Sequence, residues 1–451
     1  MKYDIIIIGS GPAGYVAAIR AGQLGLKTAI VEKSEIGGMC LNWGCIPSKS
    51  IIESAKLYNK IIKDAAKFGV DGIDKKSISF NFAKATKRAN QIVKRLTKGI
   101  EFLLKKNGVE IIQGEAEIVS KNSITVNNRN IETENIIISS GSYIPEIETT
   151  KNDLVLNVKE LFTKSEIPEN VVVYGRNSTA IELAQFFSLI RKNVTLVTDN
   201  GIILPLADKY LSKYIQTNLT KSKVKIIFNS PIENVENYFS EGILEINNEK
   251  VKCDIIINSQ ERKAVIPESK VKLEIENEFI KVDKNCKTNI DGIFAIGDVN
   301  GKSKFAHIAS AQGLHVINLI KGVKSELDIK KYPLNMYTVP ELSQIGQTED
   351  DLIKSNVDYK ISEFPLSANG KALAEGNNEG FIRILSEKKY GEVLGVQIVA
   401  ANATDLIAEA SAFMQLESTI YDVAKTVHAH PTISEIFMEV GFEAIDQAIH
   451  K

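Results

Sequence analysis

Four isoleucines, Ile5 to Ile8, run into Gly9-Ser10-Gly11-Pro12-Ala13-Gly14. The run is short and opens on glycine, so it reads as a buried strand. Residues 13–25 then read as a helix, with Tyr15, Ala18, Ile19 and Gly22 on a small-residue face. Residues 27–31 return to a strand that ends at Glu32. Strand, glycine turn, helix and strand within about 30 residues make a βαβ unit. Each glycine has a physical task. Gly9 allows the turn, Gly11 lets a pyrophosphate reach bare backbone, and Gly14 lets helix and strand pack closely. Pro12 and Ala13 begin the helix, whose free amides and positive dipole end favour phosphate. Glu32 can accept hydrogen bonds from a ribose hydroxyl. A glycine turn with no ligand is the plain alternative. The preceding strand, the following helix and the acid at the next strand end weigh against it.

The same pattern returns at 171–174 (strand), Gly175 (turn), 178–190 (helix) and 194–197 (strand). A dinucleotide-like fold that occurs twice is a weak internal repeat and a strong constraint on architecture. Between the copies, 53–65 and 81–106 have helical period and 115–140 reads as short strands. Ile136 to Ile138 lead into the small-residue turn Ser139-Ser140-Gly141-Ser142. Residues 290–299 return to a strand ending in Gly297-Asp298. After Pro333, Pro340 and Gly346, strands at 380–385 and 393–399 alternate with helices at 403–414 and 432–447. The expected fold class is α/β, with two Rossmann-like domains and a C-terminal α+β domain. A length of 451 residues agrees, being too long for one core. The expected divisions are 1–145, 146–262, 263–330 and 331–451.

The net charge of −1 gives no basic surplus for nucleic acid or an acidic membrane. No apolar run approaches the roughly 18 residues of a membrane helix. Met1 leads straight into the first strand, which leaves no room for a signal peptide, so a cytoplasmic location is expected.

Two of the four cysteines lie close together in Gly37-Gly38-Met39-Cys40-Leu41-Asn42-Trp43-Gly44-Cys45-Ile46-Pro47-Ser48-Lys49. Residues i and i+5 of a straight helix are about 7.5 Å apart along the axis and point to different sides. A disulfide wants Cα atoms about 5.5–6 Å apart. The segment must therefore bend. Gly44 loosens it, and Pro47 removes an amide and disfavours helix at Ile46. A bent pair reads as a dithiol that opens and closes. Two buried structural thiols are the alternative. Zinc would want further Cys or His ligands nearby, and none is adjacent in sequence. Cys253 and Cys286 each stand alone and read as plain packing or surface residues.

Thiol exchange needs a group that takes a proton near neutral pH. His428-Ala429-His430-Pro431-Thr432-Ile433-Ser434-Glu435 offers one. Glu435 could orient His430 by the logic of a triad, and Pro431 is placed to start a helix. A surface turn or a helix cap is the bland reading. Lys49, one turn beyond Cys45, and Glu182 in the second helix each read, taken alone, as a surface charge.

The glycine loop, the 37–49 segment, Gly297-Asp298 and Ala429-His430-Pro431-Thr432-Ile433-Ser434-Glu435 together resemble the flavoprotein pyridine nucleotide–disulfide oxidoreductases, and within them the branch that oxidises dihydrolipoyl groups. Tyr337-Thr338-Val339-Pro340-Glu341 and Phe305-Ala306-His307 sit where that family has similar text. The resemblance spans the whole length and implies a FAD-dependent enzyme. By it, 1–145 and 263–330 are the two parts of a FAD-binding domain, 146–262 an NAD-binding-like domain and 331–451 a dimerisation domain. FAD would be held by Gly9, Gly11, Pro12, Ala13, Gly14, Glu32, Lys33, Gly38, Met39, Lys49, Ser140, Gly141, Gly297, Asp298, Phe305, Ala306 and His307. Cys45 would lie against the flavin and Cys40 would exchange with the substrate sulfur. Lys49 and Glu182 would pair near the flavin, and His430 with Glu435 would be the acid–base of the other subunit in a homodimer. The substrate would ride on a lipoyl carrier protein of a 2-oxoacid dehydrogenase or glycine cleavage type complex, and electrons would pass on to NAD.

The second fingerprint departs from the family's. It reads Gly175-Arg176-Asn177-Ser178-Thr179-Ala180, so a side chain stands where backbone should meet pyrophosphate. The acid position is Thr198, with Asp199 one further on, and the family's Gly-Arg reads Gln260-Glu261. A FAD–dithiol enzyme with weak or lost nicotinamide binding and another electron carrier is therefore the alternative. Met39 and Trp43 also differ from the commoner choices beside the cysteines.

Overall fold

A computed structural model describes residues 2–150 and 153–450. Met1 therefore lies outside the described residues. The chain divides into two compact units. Unit 1 holds residues 1–54, 74–167 and 260–327, and unit 2 holds 55–73, 168–259 and 328–451. Residues 146–167, expected with the second dinucleotide fold, belong to unit 1. Residues 168–259 and 328–451, expected as separate domains, fall in one unit.

Unit 1 is built on β1 (Lys2–Ile8), α1 (Pro12–Gln23), β2 (Thr28–Glu32), α2 (Gly38–Asn42), α3 (Cys45–Asp64, which runs on into unit 2), α4 (Phe82–Lys106), β3 (Glu110–Gln113), β4 (Ala116–Ser120), β5 (Ser123–Val126) and β6 (Arg129–Ile138). The sheet order is β3-β2-β1-β6-β5-β4, and the strand Ile293–Ala295 also pairs with β6. β1 is parallel to both β2 and β6, with Ile7 opposite Ile30 and Ile137. A parallel strand is covered on both faces, which is why it reads as unbroken isoleucine rather than as an alternation. Ile5 and Ile7 join one core cluster, and Ile6 and Ile8 the other. The helix Ala306–Ile320 packs on α1 through glycine: a Cβ on Gly313 would stand 2.7 Å from the Ala13 carbonyl oxygen.

Unit 2 repeats the motif with β7 (Asn170–Tyr174), α5 (Ser178–Leu189) and β8 (Asn193–Val197). Four parallel strands run in the order Lys225–Ile227, β8, β7, Ile255–Asn258. Its C-terminal part is a five-stranded antiparallel sheet, with Glu341–Gly346, Val393–Ala400 and Phe381–Glu387 at the centre. Helices Ala403–Gln415 and α6 (Glu435–Ala444) cover it, sharing one core with Ile345, Ile398, Phe437 and Val440.

Two local expectations fail. α3 begins at Cys45 and includes Ile46, because Pro47 lies in the first turn, where the missing amide would have had no helical acceptor. The last helix begins at Glu435, not near Pro431. The Glu435 carboxylate turns back to accept the Thr432 amide at 2.8 Å, and Thr432 Oγ1 donates to the Ala429 carbonyl, so 429–434 is a hydrogen-bonded turn.

Candidate active site

The dithiol of unit 1 sits on a broken helix. α2 ends at Asn42, Trp43 takes φ −146°, and α3 restarts at Cys45. Gly44 makes the break possible. A Cβ there would stand 3.0 Å from the Met39 carbonyl oxygen and 3.1 Å from Cys40 Cα. The side chain of Cys40 is hydrogen-bonded to Cys45, and both residues are half-buried. That bond is the main reason the Cys40 thiol is pushed up, with burial second; the Lys49 ammonium pulls the other way. Lys159 lies over the Trp43 ring, 4.5 Å from its centre.

The same segment packs directly on the glycine loop. A Cβ on Gly38 would stand 2.7 Å from Gly11 Cα, and the Gly37 amide donates to Ser10 Oγ at 3.2 Å. Gly9 has φ +100°, and a Cβ on it would strike the Ser139 carbonyl oxygen at 2.4 Å. A Cβ on Gly14 would stand 2.0 Å from the Gly9 carbonyl oxygen. Gly11 differs from both, since a Cβ there would meet nothing within 4 Å. It is the N-cap of α1 and no side chain caps that helix, with Pro12 in the first turn and Ala13 buried behind it. Bare helix amides therefore face open space, which suits a pyrophosphate.

Glu32 is buried and accepts from Ser10 N, Ser10 Oγ and Ser34 N at 2.9, 2.6 and 2.8 Å. Its neighbour Lys33 reaches instead to Glu115 at the surface, so its side chain is not turned toward the loop. Ser140 Oγ donates to the Val265 carbonyl at 2.5 Å, and Gly141 has φ +78°. Gly297 has φ +74° and faces Ala13, since a Cβ there would lie 3.2 Å from the Ala13 Cβ. Asp298 accepts from Ser142 Oγ at 2.5 Å and pairs with Arg262 at 3.0 Å. Phe305 is the uncapped N-terminus of the helix that starts at Ala306, and its ring stacks on His307 at 5.6 Å. These residues supply two uncapped helix ends, a bare glycine, the buried Glu32 carboxylate and the part-buried Asp298 carboxylate, a set that fits FAD.

Sequence reasoning missed three members of this cradle. Arg262 also donates to Met39 Sδ and to the Lys304 carbonyl. The arginine sought at 261 thus lies one residue on, in unit 1, where it faces Asp298. Gln260 donates to the Pro145 carbonyl, and Glu261 pairs with Lys304. Ser10 links the glycine loop to Glu32. Tyr15 of α1 packs against the core cluster that holds Leu41, and its hydroxyl is pushed up by burial and then by the two cysteines. Only the spacing of Ser10 from Glu32 along the βαβ unit could have signalled any of them.

In unit 2, His430 Nδ1 and Glu435 Oε1 are 2.9 Å apart. The Thr432 amide, and then His430, hold the Glu435 carboxyl below its ordinary value. The His430 side chain is 80% exposed. The His428 side chain, by contrast, is only 7% exposed, with its Nε2 2.5 Å from Glu409. Glu182 is buried in α5 and accepts from the Tyr337 amide at 3.0 Å, while Lys49 lies in unit 1 on α3. Cys253 and Cys286 are buried, and burial pushes each thiol up to about 12, as fits packing residues. No cluster of three metal-ligating side chains occurs among the described residues.

The second glycine loop fits a dinucleotide less well than the first. The sequence places the Asn177 side chain in the path of a pyrophosphate; in the structure it folds back on its own helix. Asn177 Oδ1 accepts from the Ala180 amide at 3.0 Å, and Nδ2 donates to the Ser259 carbonyl at 2.8 Å. Thr198, in the acid position, is buried and donates to the Asn200 carbonyl, and Asp199 pairs with Arg176 at 3.4 Å.

Comparison with known proteins gives the same picture. The pyridine nucleotide-disulphide oxidoreductase model matches residues 3–313, and its dimerisation-domain model matches 332–440. A dihydrolipoyl dehydrogenase of Bacillus subtilis is 35% identical over 466 residues, covering 100% of this chain and 98% of its own. One from Geobacillus stearothermophilus is 34% identical with the same coverage. Among solved structures, LpdA of Mycobacterium tuberculosis superposes with a TM-score of 0.88 at 21% identity, covering 98% and 99% of the two chains. The HOCl-induced flavoprotein disulfide reductase RclA of Escherichia coli gives 0.84 at 24%, covering 96% and 98%; both likenesses speak to the fold. The chain belongs to the pyridine nucleotide-disulphide oxidoreductase family, as a FAD-dependent disulfide oxidoreductase.

Proposed function

We propose that this enzyme oxidises dihydrolipoyl groups, delivered by a lipoyl carrier protein of a 2-oxoacid dehydrogenase or glycine cleavage type complex, and that it works as a homodimer. The packing of Gly38 on Gly11 carries the reading, because it sets the Cys40–Cys45 segment against the FAD loop. The curated relatives named dihydrolipoyl dehydrogenase support the substrate. An exposed His430, with Val427 88% exposed beside it, supports a second copy covering that edge.

The cycle starts from the Cys40–Cys45 disulfide. One thiol of the dihydrolipoyl group gives its proton to His430, and its sulfur attacks Cys40 Sγ. Cys45 leaves as a thiolate, favoured by the nearby Lys49 charge. The second substrate thiol then attacks the first substrate sulfur, and Cys40 leaves as a thiol that takes the second proton, while His430 holds the first opposite the Cys45 thiolate. The lipoyl ring closes as a disulfide while the protein gains two electrons as its dithiol. FAD supplies the acceptor for that electron pair. Glu435 holds the His430 ring through Nδ1, which leaves Nε2 to handle the proton. A second reading, with electrons leaving to a carrier other than a nicotinamide, is favoured by the Asn177 cap.

Anaerobic mixing with dihydrolipoamide tests the reading. The flavin absorption of the wild-type holoprotein should bleach rapidly, and Cys40→Ser should keep its flavin and not bleach. Bleaching of Cys40→Ser at the wild-type rate would overturn the assignment.

A further inference from the structure

The chain contains its own control for what a dinucleotide loop requires. The two loops share a frame. The Gly9 amide donates to the Val31 carbonyl at 2.8 Å, and the Gly175 amide to the Val197 carbonyl at 2.9 Å. Gly9 has φ +100° and lies against the Ser139 carbonyl; Gly175 has φ +145° and lies against the Ser259 carbonyl. The position two residues on separates them. Gly11 leaves its helix uncapped with open space in front. Asn177 is the N-cap of α5 and fills that role with its own amide group.

We propose that Asn177 is a built-in cap that closes the second loop to pyrophosphate, so that this enzyme binds nicotinamide dinucleotides weakly. The proposal deepens the disulfide-oxidoreductase reading and rests on it. Asn177 hydrogen-bonds to each side of the turn, to the Ala180 amide and the Ser259 carbonyl. A phosphate that takes the Ala180 amide must first displace Oδ1. Moving the side chain away also strips the Ser259 carbonyl of its Nδ2 donor. At Gly11 the same approach displaces no protein group. The far end of the site has changed in the same direction. Thr198, with its hydroxyl spent on the Asn200 carbonyl, stands where unit 1 has the Glu32 carboxylate. The next acid, Asp199, is engaged by Arg176. The pyrophosphate end thus meets an amide already capped, and the ribose end has a hydroxyl where unit 1 has the Glu32 carboxylate.

Calorimetric titration of NAD⁺ into the purified flavin-loaded holoprotein tests this. Wild type should bind with a Kd of about 1 mM or weaker. Asn177→Gly should tighten binding at least about tenfold, since glycine is accepted at an N-cap and leaves the amide free. Asn177→Ala, which frees the amide but keeps a methyl group, should fall between them and serves where the glycine variant folds poorly. Saturation of wild type at micromolar NAD⁺, or no change of Kd in either folded variant, would overturn the proposal. Dihydrolipoamide bleaching in the same samples separates the two claims. Its absence would sink the substrate assignment, whereas bleaching with unchanged nucleotide affinity would sink the role of Asn177 alone.

Discussion

At the scale of single residues, His430 and Glu435 set the proton chemistry. The Glu435 anion is favoured by the Thr432 amide and then by His430. Its folded-state value is depressed, so this local contribution is present above the ordinary glutamate range and is lost as pH falls through the depressed value. Below that point the carboxyl is neutral and releases both the turn and the ring. Glu435→Gln keeps the shape but offers its amide in place of the anion. It should lower the neutral-pH rate of dihydrolipoamide oxidation at least about tenfold, up to the roughly 10⁴ lost when a triad carboxylate becomes an amide. Removing the proton acceptor itself, in His430→Gln, should cost about 10²–10⁴-fold. Steady-state rates with lipoamide, read against unchanged flavin content, check both. Equal rates for Glu435→Gln and wild type would reduce the carboxylate to a clamp on the turn.

At the scale of the elements, three glycines in one loop make separable demands. A methyl on Gly14 collides with backbone at 2.0 Å, so Gly14→Ala must push α1 off the sheet, and overpacking of that kind costs about 1–3 kcal/mol. A methyl on Gly11 touches no protein atom. Gly11→Ala should therefore fold with a thermal midpoint close to that of wild-type protein stripped of flavin, yet emerge from purification with little FAD. The ratio of flavin absorption to protein, with melts taken before and after adding FAD, decides it. Full flavin content in Gly11→Ala would mean that the pyrophosphate lies elsewhere. This βαβ unit was readable from sequence because every signal in it is local: the isoleucine run, the glycine spacing, and the acid one turn and one strand later. What was not readable is what joins distant segments. Arg262 meets Asp298 and Met39 only after the sheet is assembled. Tyr15 reads as one face of a helix until it packs on the core that Leu41 also enters. Asn177 was visible as a departure, but propensity rules do not say whether an asparagine at that position blocks a ligand or caps its helix. Pro47 misled for a related reason, since its cost depends on whether it falls inside the helix or in its first turn.

At the scale of the whole molecule, the dithiol and the histidine belong to different compact units, and the histidine side stands exposed in the single chain. Val427 stands 88% exposed close to His430 in the chain. In a two-fold dimer each contact occurs twice, so each His430 can serve the partner's cysteines. Mixing two inactive variants puts this to the test. A Cys40→Ser chain keeps its histidine, and a His430→Gln chain keeps its dithiol. If histidine and dithiol worked within one chain, a hybrid of the two would hold no complete site. If they work across the interface, the hybrid holds one complete site and one doubly broken one. Random pairing of equal amounts makes about half the dimers hybrid, so the mixture should recover about a quarter of wild-type turnover per dimer. The two variants are unfolded together and refolded with FAD, and lipoamide turnover is measured against each variant refolded alone. Recovery places the acid–base in the partner's reach. A mixture as inactive as its parents, with a dimeric elution volume, would place catalysis within a single chain.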